Sequence, residues 1–322
     1  MDWTILGSAG EFFGAIGSIL IACVAVIIAT RQYLDEKRFA REQKALMEDI
    51  EKKNEIARIE QNRLVRAQSL DSYFDGISNL ILRDHILDSK ARNLSKGRTD
   101  AILKVLAPDE KRNLLAFLYG SGLITPNEEA DEVVIGLSGS DLSHAQLDGF
   151  TLRNAHLEMA ILKDAQITDC DLNQIDMLGA DLERANLKGS DITEANLHGI
   201  LGFNTNLSAS DLSGTDIAGA DLREADLSES DLTGGDLSGT NLRGANLVDA
   251  NLTGANLSGA NLRDVNLTDA NLLDADLSSL ISIDGADFSG VLNLSDTSRE
   301  YLSAIASGEN PITGVETGLS LN

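Results

Sequence analysis

Residues 241–270 read NLRGA NLVDA NLTGA NLSGA NLRDV NLTDA, six pentads in which an aliphatic residue returns at every fifth position. The same period extends outward in both directions, from Leu137 to Leu277. Of the 29 central positions in this series, 28 hold an aliphatic side chain or methionine, and Gly202 is the exception. A small residue, most often alanine, stands two positions before the central one, and Asp or Asn often follows it. The repeating unit is therefore A-(D/N)-L-x-x.

A period of five fits neither the α-helix, with about 3.6 residues per turn, nor the β-strand, whose side chains alternate. Repeats that cannot bury their own apolar face must stack into a solenoid. In this pattern residues 135–290 resemble the pentapeptide repeat family. The resemblance implies a mainly β fold, in which four pentads form one square coil of a right-handed, quadrilateral β-helix. It also implies that the central leucine and the small residue point inward.

One stretch inside the repeat departs from the pattern. Residues 200–203 lose the motif, and Ile200 is large for the small site, as are Phe150 and Ile175. A solenoid with a narrow interior has little room for such side chains. We therefore expect a bulge or kink near residues 200–206.

The end of the repeat carries its own signals. After Leu277 the pattern resumes one residue late, at Ile283 and Phe288, so the insertion marks the end of the regular coils. Residues 297–300 read TSRE, which predicts a capping box at the start of a short helix. We expect this helix, carrying Leu302, to cover the exposed apolar end of the coil stack.

The charge divides the chain into two parts. Residues 1–130 contain 18 Lys+Arg and 19 Asp+Glu, a net charge of −1, whereas residues 131–322 contain 8 and 32, a net charge of −24. An acidic surface repels nucleic acid phosphates and anionic lipid headgroups. Binding of nucleic acid by the repeat is therefore not expected.

An apolar run lies near the N-terminus. Residues 12–30 are uncharged, and a helix of about 20 residues spans the hydrocarbon of a bilayer. A cleaved signal peptide needs a basic segment before the run, but the charged residues there are Asp2 and Glu11. Lys and Arg follow the run and none precedes it, so the positive-inside rule places the N-terminus outside. The sequence predicts a single-pass inner (plasma) membrane protein with a cytoplasmic repeat.

Small residues recur every four positions along this apolar region. They are Gly10, Gly14, Ser18 and Ala22. Such a stripe lets a second transmembrane helix approach closely, although small residues are common in membrane helices in general. Homo-oligomerisation through this face is one interpretation of the stripe.

The remaining segments complete the domain plan. Residues 31–69 contain no Gly or Pro and mix charges of both signs, which is typical of a long charged helix. Beyond them, apolar residues at helical spacing indicate a small helical unit, whose last helix begins at Pro108 and ends at Gly120. The predicted domains are a transmembrane helix (1–30), a charged helical stalk (31–69), a small helical domain (70–130), the repeat β-helix (131–290) and a C-terminal cap with a short helix (291–322).

Two columns of charged residues follow if positions twenty apart stack. The acidic column comprises Asp171, Asp191, Asp211 and Asp231. The basic column comprises Lys163, Arg223, Arg243 and Arg263. The acidic column either mimics the phosphates of a nucleic acid or satisfies backbone groups at the coil corners. The basic column is either a docking site for an acidic protein partner or a solvated ladder paired with neighbouring acids.

No catalytic, metal or cofactor site is predicted. The four histidines, at positions 85, 144, 156 and 198, lack metal-ligand spacing. Cys170 occupies a small inward position and so is expected to be a core residue. No phosphate-binding loop or catalytic triad stands out from the repeat, so we expect a protein without enzymatic activity.

Three functions remain open. An apolar span, a charged helix and a helical unit ahead of the pentads look like the membrane-anchored bacterial members of the family, which favours a cytoplasmic scaffold that binds a protein partner. The alternative is DNA mimicry, that is, inhibition or protection of a DNA-binding enzyme such as gyrase, as in the quinolone-resistance members of that family. The third is an oligomeric membrane effector, which only the small-residue stripe supports.

Overall fold

The computed structural model describes residues 3–83, 89–126 and 133–321, and its chain divides into two compact units, Met1–Ala67 and Gln68–Asn322. The helices are α1 (Trp3–Arg83), α2 (Ser89–Leu103), α3 (Pro108–Gly120), α4 (Asp296–Ile305) and α5 (Thr317–Ser320). Between α3 and α4, the described residues form a ladder of isolated parallel β-bridges.

The first unit is the long N-terminal part of α1, whose described side chains are exposed almost throughout. One described segment, Ile16–Asn79, contains a window long and apolar enough to cross a membrane, and none of that window is buried in the protein. A signal sequence near an N-terminus meets the same criterion of length and composition. In the charged part, ion pairs at helical spacing support the helix, with Arg38 3.0 Å from Glu42 and Lys53 2.7 Å from Asp49.

The second unit begins with a small helical core. The last turns of α1 bury Ile77, α2 buries Leu103, and α3 buries Leu114, all at 1% exposure or less. Helix α3 begins at Pro108 and ends at Gly120, as predicted. Proline is favoured in the first turn because its missing N–H would have no helical partner there.

The repeat folds into a β-helix solenoid. Parallel bridges join each corner residue to the one twenty positions later, from Asp141↔Ile161 to Asn256↔Asp276. From Leu142 to Leu272, each central residue donates its N–H to the next coil, as Leu142 N does to Ile161 O at 2.8 Å. Four pentads therefore complete one coil.

The interior confirms the predicted inward positions. From Leu137 to Leu277 the central apolar side chains are at most 4% exposed, and Cys170 is 3% exposed at a small site. Every pentad in this range also has one residue with a positive φ, two positions after the central residue. Glycine adopts this conformation without the steric cost that Cβ imposes, which explains why 12 of these 29 residues are glycine.

The predicted kink near residues 200–206 is wrong. The ladder continues through Asp181↔Leu201 and Leu201↔Asp221, and Gly202 N donates to Asp221 O at 2.8 Å. A Cβ on Gly202 would lie 2.7 Å from Leu222 Cδ2, so the side chain of the next coil fills the space that the glycine leaves. Ile200 is fully buried at its small site. The regular coil is thus preserved because the Leu222 side chain occupies the space that the missing side chain of Gly202 leaves.

Both ends of the coil stack are covered. On the N-terminal side, the carbonyl oxygens of Pro108 and Ile124 accept N–H groups of the first coils, including His156 N at 3.1 Å. On the C-terminal side, Gly285 N donates to Ser307 O at 2.8 Å and the side chain of Leu302 is fully buried. Edge groups of the ladder that would otherwise have no partner are thereby satisfied.

The C-terminal end also tests two detailed predictions. The insertion is confirmed, because Asn261 pairs with Ser282, twenty-one residues later. The capping residue was predicted two positions too late: α4 begins after Ser295, whose hydroxyl accepts the N–H of Ser298 at 3.1 Å. Thr297 lies inside the first turn, since Ser295 already offers the extended backbone that an N-cap needs.

Candidate interaction surfaces

The basic column is a ladder of ion pairs. Lys163 Nζ lies 2.8 Å from Glu183 Oε2 and 3.0 Å from Asp181 Oδ2, and the hydrogen bond to Glu183 is the main reason that its pKa is raised. The same hydrogen bond is the main reason that the pKa of Glu183 is lowered. Arg223 donates two hydrogen bonds of 2.7 Å to Asp221, which hold the pKa of that carboxyl below its ordinary value. Lys163 and Arg223 are therefore both paired with carboxylates of neighbouring acidic residues.

The other two members of the basic column, Arg243 and Arg263, form longer ion pairs. The guanidinium groups of Arg243 and Arg263 each lie 3.5 Å from Asp264, and Arg263 also lies 3.6 Å from Asp284. Both arginine side chains remain at least half exposed. One carboxylate shared by two guanidinium groups leaves donors available to a further acceptor, because each guanidinium carries five N–H groups.

An open groove lies beside the basic column. It has a volume of about 650 Å³, and its wall includes Phe203, Arg223, Arg243, Pro311 and Ile312. The Arg223 guanidinium lies 5.7 Å from the centre of the Phe203 ring, within cation–π range, and Ile312 is 71% exposed. We call this the Phe203 groove.

A smaller cavity continues the surface of the Phe203 groove. It has a volume of about 300 Å³ and shares Phe203 and Arg223 with the groove. Lys163 and the exposed side chain of Leu201 also line it. The two cavities together combine apolar surface with charges of both signs.

The acidic column stacks as predicted. Bridges join Asp171, Asp191, Asp211 and Asp231 in succession. In each of these residues Oδ1 accepts the backbone N–H two residues ahead, as Asp211 does from Ser213 at 3.0 Å. The aspartates thus satisfy backbone N–H groups at the coil corners, which was one of the two interpretations of the column. Each uses one of its two carboxylate oxygens for this hydrogen bond.

The charge of the acidic column is only partly neutralised. Arg153 lies 3.2 Å from Asp171, and no other Lys or Arg among the described residues pairs with a member of this column. The acidic column ends at Asn251, which is uncharged and whose amide donates to Asp231 Oδ1 at 3.3 Å. Among the described residues, the three consecutive aspartates Asp191, Asp211 and Asp231 therefore have no ion pair with Lys or Arg.

The small-residue stripe lies on α1. Gly14, Ser18 and Ala22 are exposed, and the Ser18 hydroxyl donates to Gly14 O at 3.0 Å. The surroundings of Gly10 lie outside the described side chains. His85 is also outside the described residues.

The sequence missed two features that the coils assemble. Phe203 was noted as a break in the motif, yet its ring forms part of a groove wall. Donor atoms of His156, Glu158 and Asp176 lie within 4.8 Å of one another. Linear spacing does not reveal this group, but the twenty-residue coil period would have placed His156 beside Asp176.

A protein-family model agrees with the repeat seen in this fold. The family model for pentapeptide repeats matches eight copies, over residues 137–174, 160–199, 205–244 and 245–279. No curated protein gives a significant match.

Solved structures of pentapeptide repeat proteins are similar to the chain. HetL, involved in heterocyst differentiation regulation in the cyanobacterium Nostoc sp. strain PCC 7120, is 28% identical, with a TM-score of 0.34, over 56% of this chain and 95% of its own. A trypsin-treated form of QnrB1, a plasmid-mediated fluoroquinolone resistance protein, is 17% identical, with a TM-score of 0.34, over 50% and 77%. Rfr23 from the cyanobacterium Cyanothece 51142 is 27% identical, with a TM-score of 0.21, over 47% and 90%. Residues 137–279 of the chain therefore belong to the pentapeptide repeat family.

Proposed function

We propose that this protein is a non-enzymatic, membrane-anchored scaffold whose β-helix binds a protein partner in the cytoplasm. The observation that carries the proposal is the Phe203 groove, an open surface of about 650 Å³ that combines an aromatic ring, exposed apolar side chains and paired arginines. Arginine and aromatic residues are enriched at the centres of protein interfaces. A partner segment with an apolar side chain and a carboxylate would fit this surface.

The anchor in this proposal is the apolar part of α1. Residues 12–30 would cross the membrane once, with the N-terminus outside, and the charged helix of residues 31–69 would link them to the cytoplasmic part. Five Lys or Arg residues, between positions 31 and 44, follow the run and support this orientation. We also propose that the four-pentad coil is square and right-handed, as in the family.

The experiment is cross-linking and affinity capture from membranes with the full chain. We expect Phe203→Ala and the charge reversal of Arg223, Arg243 and Arg263 to lose the main captured protein, whereas the wild type retains it. Arg153→Glu is the matched control, because Arg153 lies two pentads round the coil from the basic column and pairs with Asp171. An unchanged set of captured proteins in the groove variants would discard the proposal. A chain without residues 1–30 should capture the same protein but not hold it at the membrane.

A second candidate function is DNA mimicry, and the acidic column favours it. Strands in a sheet lie about 4.8 Å apart, so the column presents a regular row of negative charge, as a phosphate backbone does. The test is a gyrase inhibition or protection assay with the full chain. Activity that is lost in a variant with Asp191, Asp211 and Asp231 all changed to Asn, but kept in the Phe203→Ala variant, would favour mimicry over the scaffold.

A further inference from the structure

A mixed cluster of metal-ligating side chains lies on one face of the solenoid. His156 Nδ1 is 3.1 Å from Glu158 Oε1, and the donor atoms of His156, Glu158 and Asp176 all lie within 4.8 Å of one another. All three side chains are half-buried. Among the described residues, this is the one group of three or more such donors that lies close enough to hold an ion.

The backbone of the coil holds the three donors together. His156 and Asp176 are paired by a parallel bridge, and Glu158 follows His156 by two residues in the same pentad. The Asp176 carboxylate is itself fixed, because its Oδ1 accepts the N–H of Leu178 at 3.0 Å and the amide of Asn196 at 2.9 Å. Hydrogen bonds to a ligating carboxylate orient it for metal binding.

The two carboxylates of this cluster favour the binding of a cation. The side chains of Glu158 and Asp176 bring two carboxylates together, yet no Lys or Arg among the described residues forms an ion pair with either. The basic column shows the contrast, since its acids Asp181 and Glu183 meet Lys163 at 3.0 and 2.8 Å. A bound divalent cation would offset the repulsion between the two carboxylates.

We propose that His156, Glu158 and Asp176 bind a zinc ion. One imidazole nitrogen and two carboxylate oxygens are ordinary zinc ligands, and water would complete a four-coordinate site at this partly exposed position. Calcium and magnesium take six or more oxygen ligands, whereas imidazole suits zinc and its neighbours in the transition series. Tetrahedral ligands at zinc lie about 3.3 Å apart, and these donors all lie within 4.8 Å of one another, so no pair must close by more than about 1.5 Å. The ion would join two successive coils.

The test is calorimetric titration of the full chain, in detergent, with Zn²⁺ alone and separately with Ca²⁺. We expect one Zn²⁺ per chain and no comparable binding of Ca²⁺. His156→Ala, Glu158→Gln and Asp176→Asn should each weaken Zn²⁺ binding about tenfold or more. Asp176→Asn should fold normally, because Asn196 already occupies the equivalent corner one coil further on.

A matched histidine provides the control. His198 lies on the same face, 3.5 Å from Asp216, but belongs to no three-donor group among the described residues. His198→Ala should keep the wild-type affinity for Zn²⁺. The same order should appear in thermal unfolding, where added Zn²⁺ raises the midpoint of the wild type and of His198→Ala but not of Asp176→Asn. Equal Zn²⁺ affinity in wild type and Asp176→Asn, or a preference for Ca²⁺, would overturn the proposal.

Discussion

At the scale of single residues, side chains of successive coils fill the interior of the solenoid jointly, so a small residue in one coil is compensated by a side chain of the next. The glycine at position 202 occupies a central site that elsewhere holds Leu, Ile or Met, and Leu222 of the next coil fills the space. Because interiors are close-packed, the two positions should be energetically coupled.

Changing Gly202 to leucine tests this coupling. We expect Gly202→Leu to lower the free energy of unfolding by about 1–3 kcal/mol, because the new side chain overlaps Leu222 Cδ2. The double variant Gly202→Leu with Leu222→Ala should recover part of that loss, whereas Leu222→Ala alone should be destabilised by the cavity it creates. Urea denaturation of the wild type, the two single variants and the double variant completes a double-mutant cycle. Additive effects would show that the two side chains do not share one space.

The same residue shows where sequence reasoning succeeds and where it stops. The period of five located the inward leucines and Cys170, because two positions in each pentad, the central one and the small one, face inward whatever their neighbours. The period could not show that Gly202 is compensated, since the compensating atom belongs to a residue twenty positions away. The His156, Glu158 and Asp176 cluster was missed for the same reason, although the coil period was already known.

At the scale of elements, the solenoid depends on its ends. A coil stack leaves N–H and C=O groups unpaired at each terminus, and here segments outside the repeat satisfy them. At the C-terminal end the amide of Asn310, which is 1% exposed, donates to Val265 O at 3.1 Å and Gly285 O at 2.9 Å. Its Oδ1 accepts the N–H of Ile312 at 2.9 Å. The position of a short helix is readable from sequence, but such contacts between distant segments are not.

Replacing Asn310 by alanine should loosen the last coil. The change leaves buried carbonyl and N–H groups without partners, so we expect a loss of about 2–3 kcal/mol in the free energy of unfolding. Hydrogen exchange should accelerate at residues 283–292 before it does so in the middle coils. Ser307→Ala, which removes one exposed hydrogen bond to Asp284, is the control and should change stability by less than about 0.5 kcal/mol. Equal effects of the two substitutions would contradict this role of Asn310.

At the scale of the whole molecule, the net charge of −25 makes acid an informative perturbation. Two opposing effects compete as the pH falls. Protonation relieves repulsion among acids such as those of the acidic column, which would stabilise the fold. It also removes hydrogen bonds that depend on charged carboxylates. The direction of the pKa changes decides which effect we expect to dominate.

We expect acid to destabilise the protein. The hydrogen bond from Arg223 lowers the pKa of Asp221 below its ordinary value of 3.8, and the backbone N–H of Ser278 does the same for Asp276. Between the folded and unfolded pKa values the unfolded chain binds more protons, so this stabilisation is complete above pH 3.8 and is lost as the pH falls through the folded values. Urea midpoints should therefore stay close to one another at pH 7 and 4 and fall at pH 3. Arg223→Gln should be less stable than wild type at pH 7, and the difference should shrink at low pH because Asp221 is then protonated in both proteins. A midpoint that rises on acidification would instead mean that repulsion among the aspartates outweighs the pairing that the ladder provides.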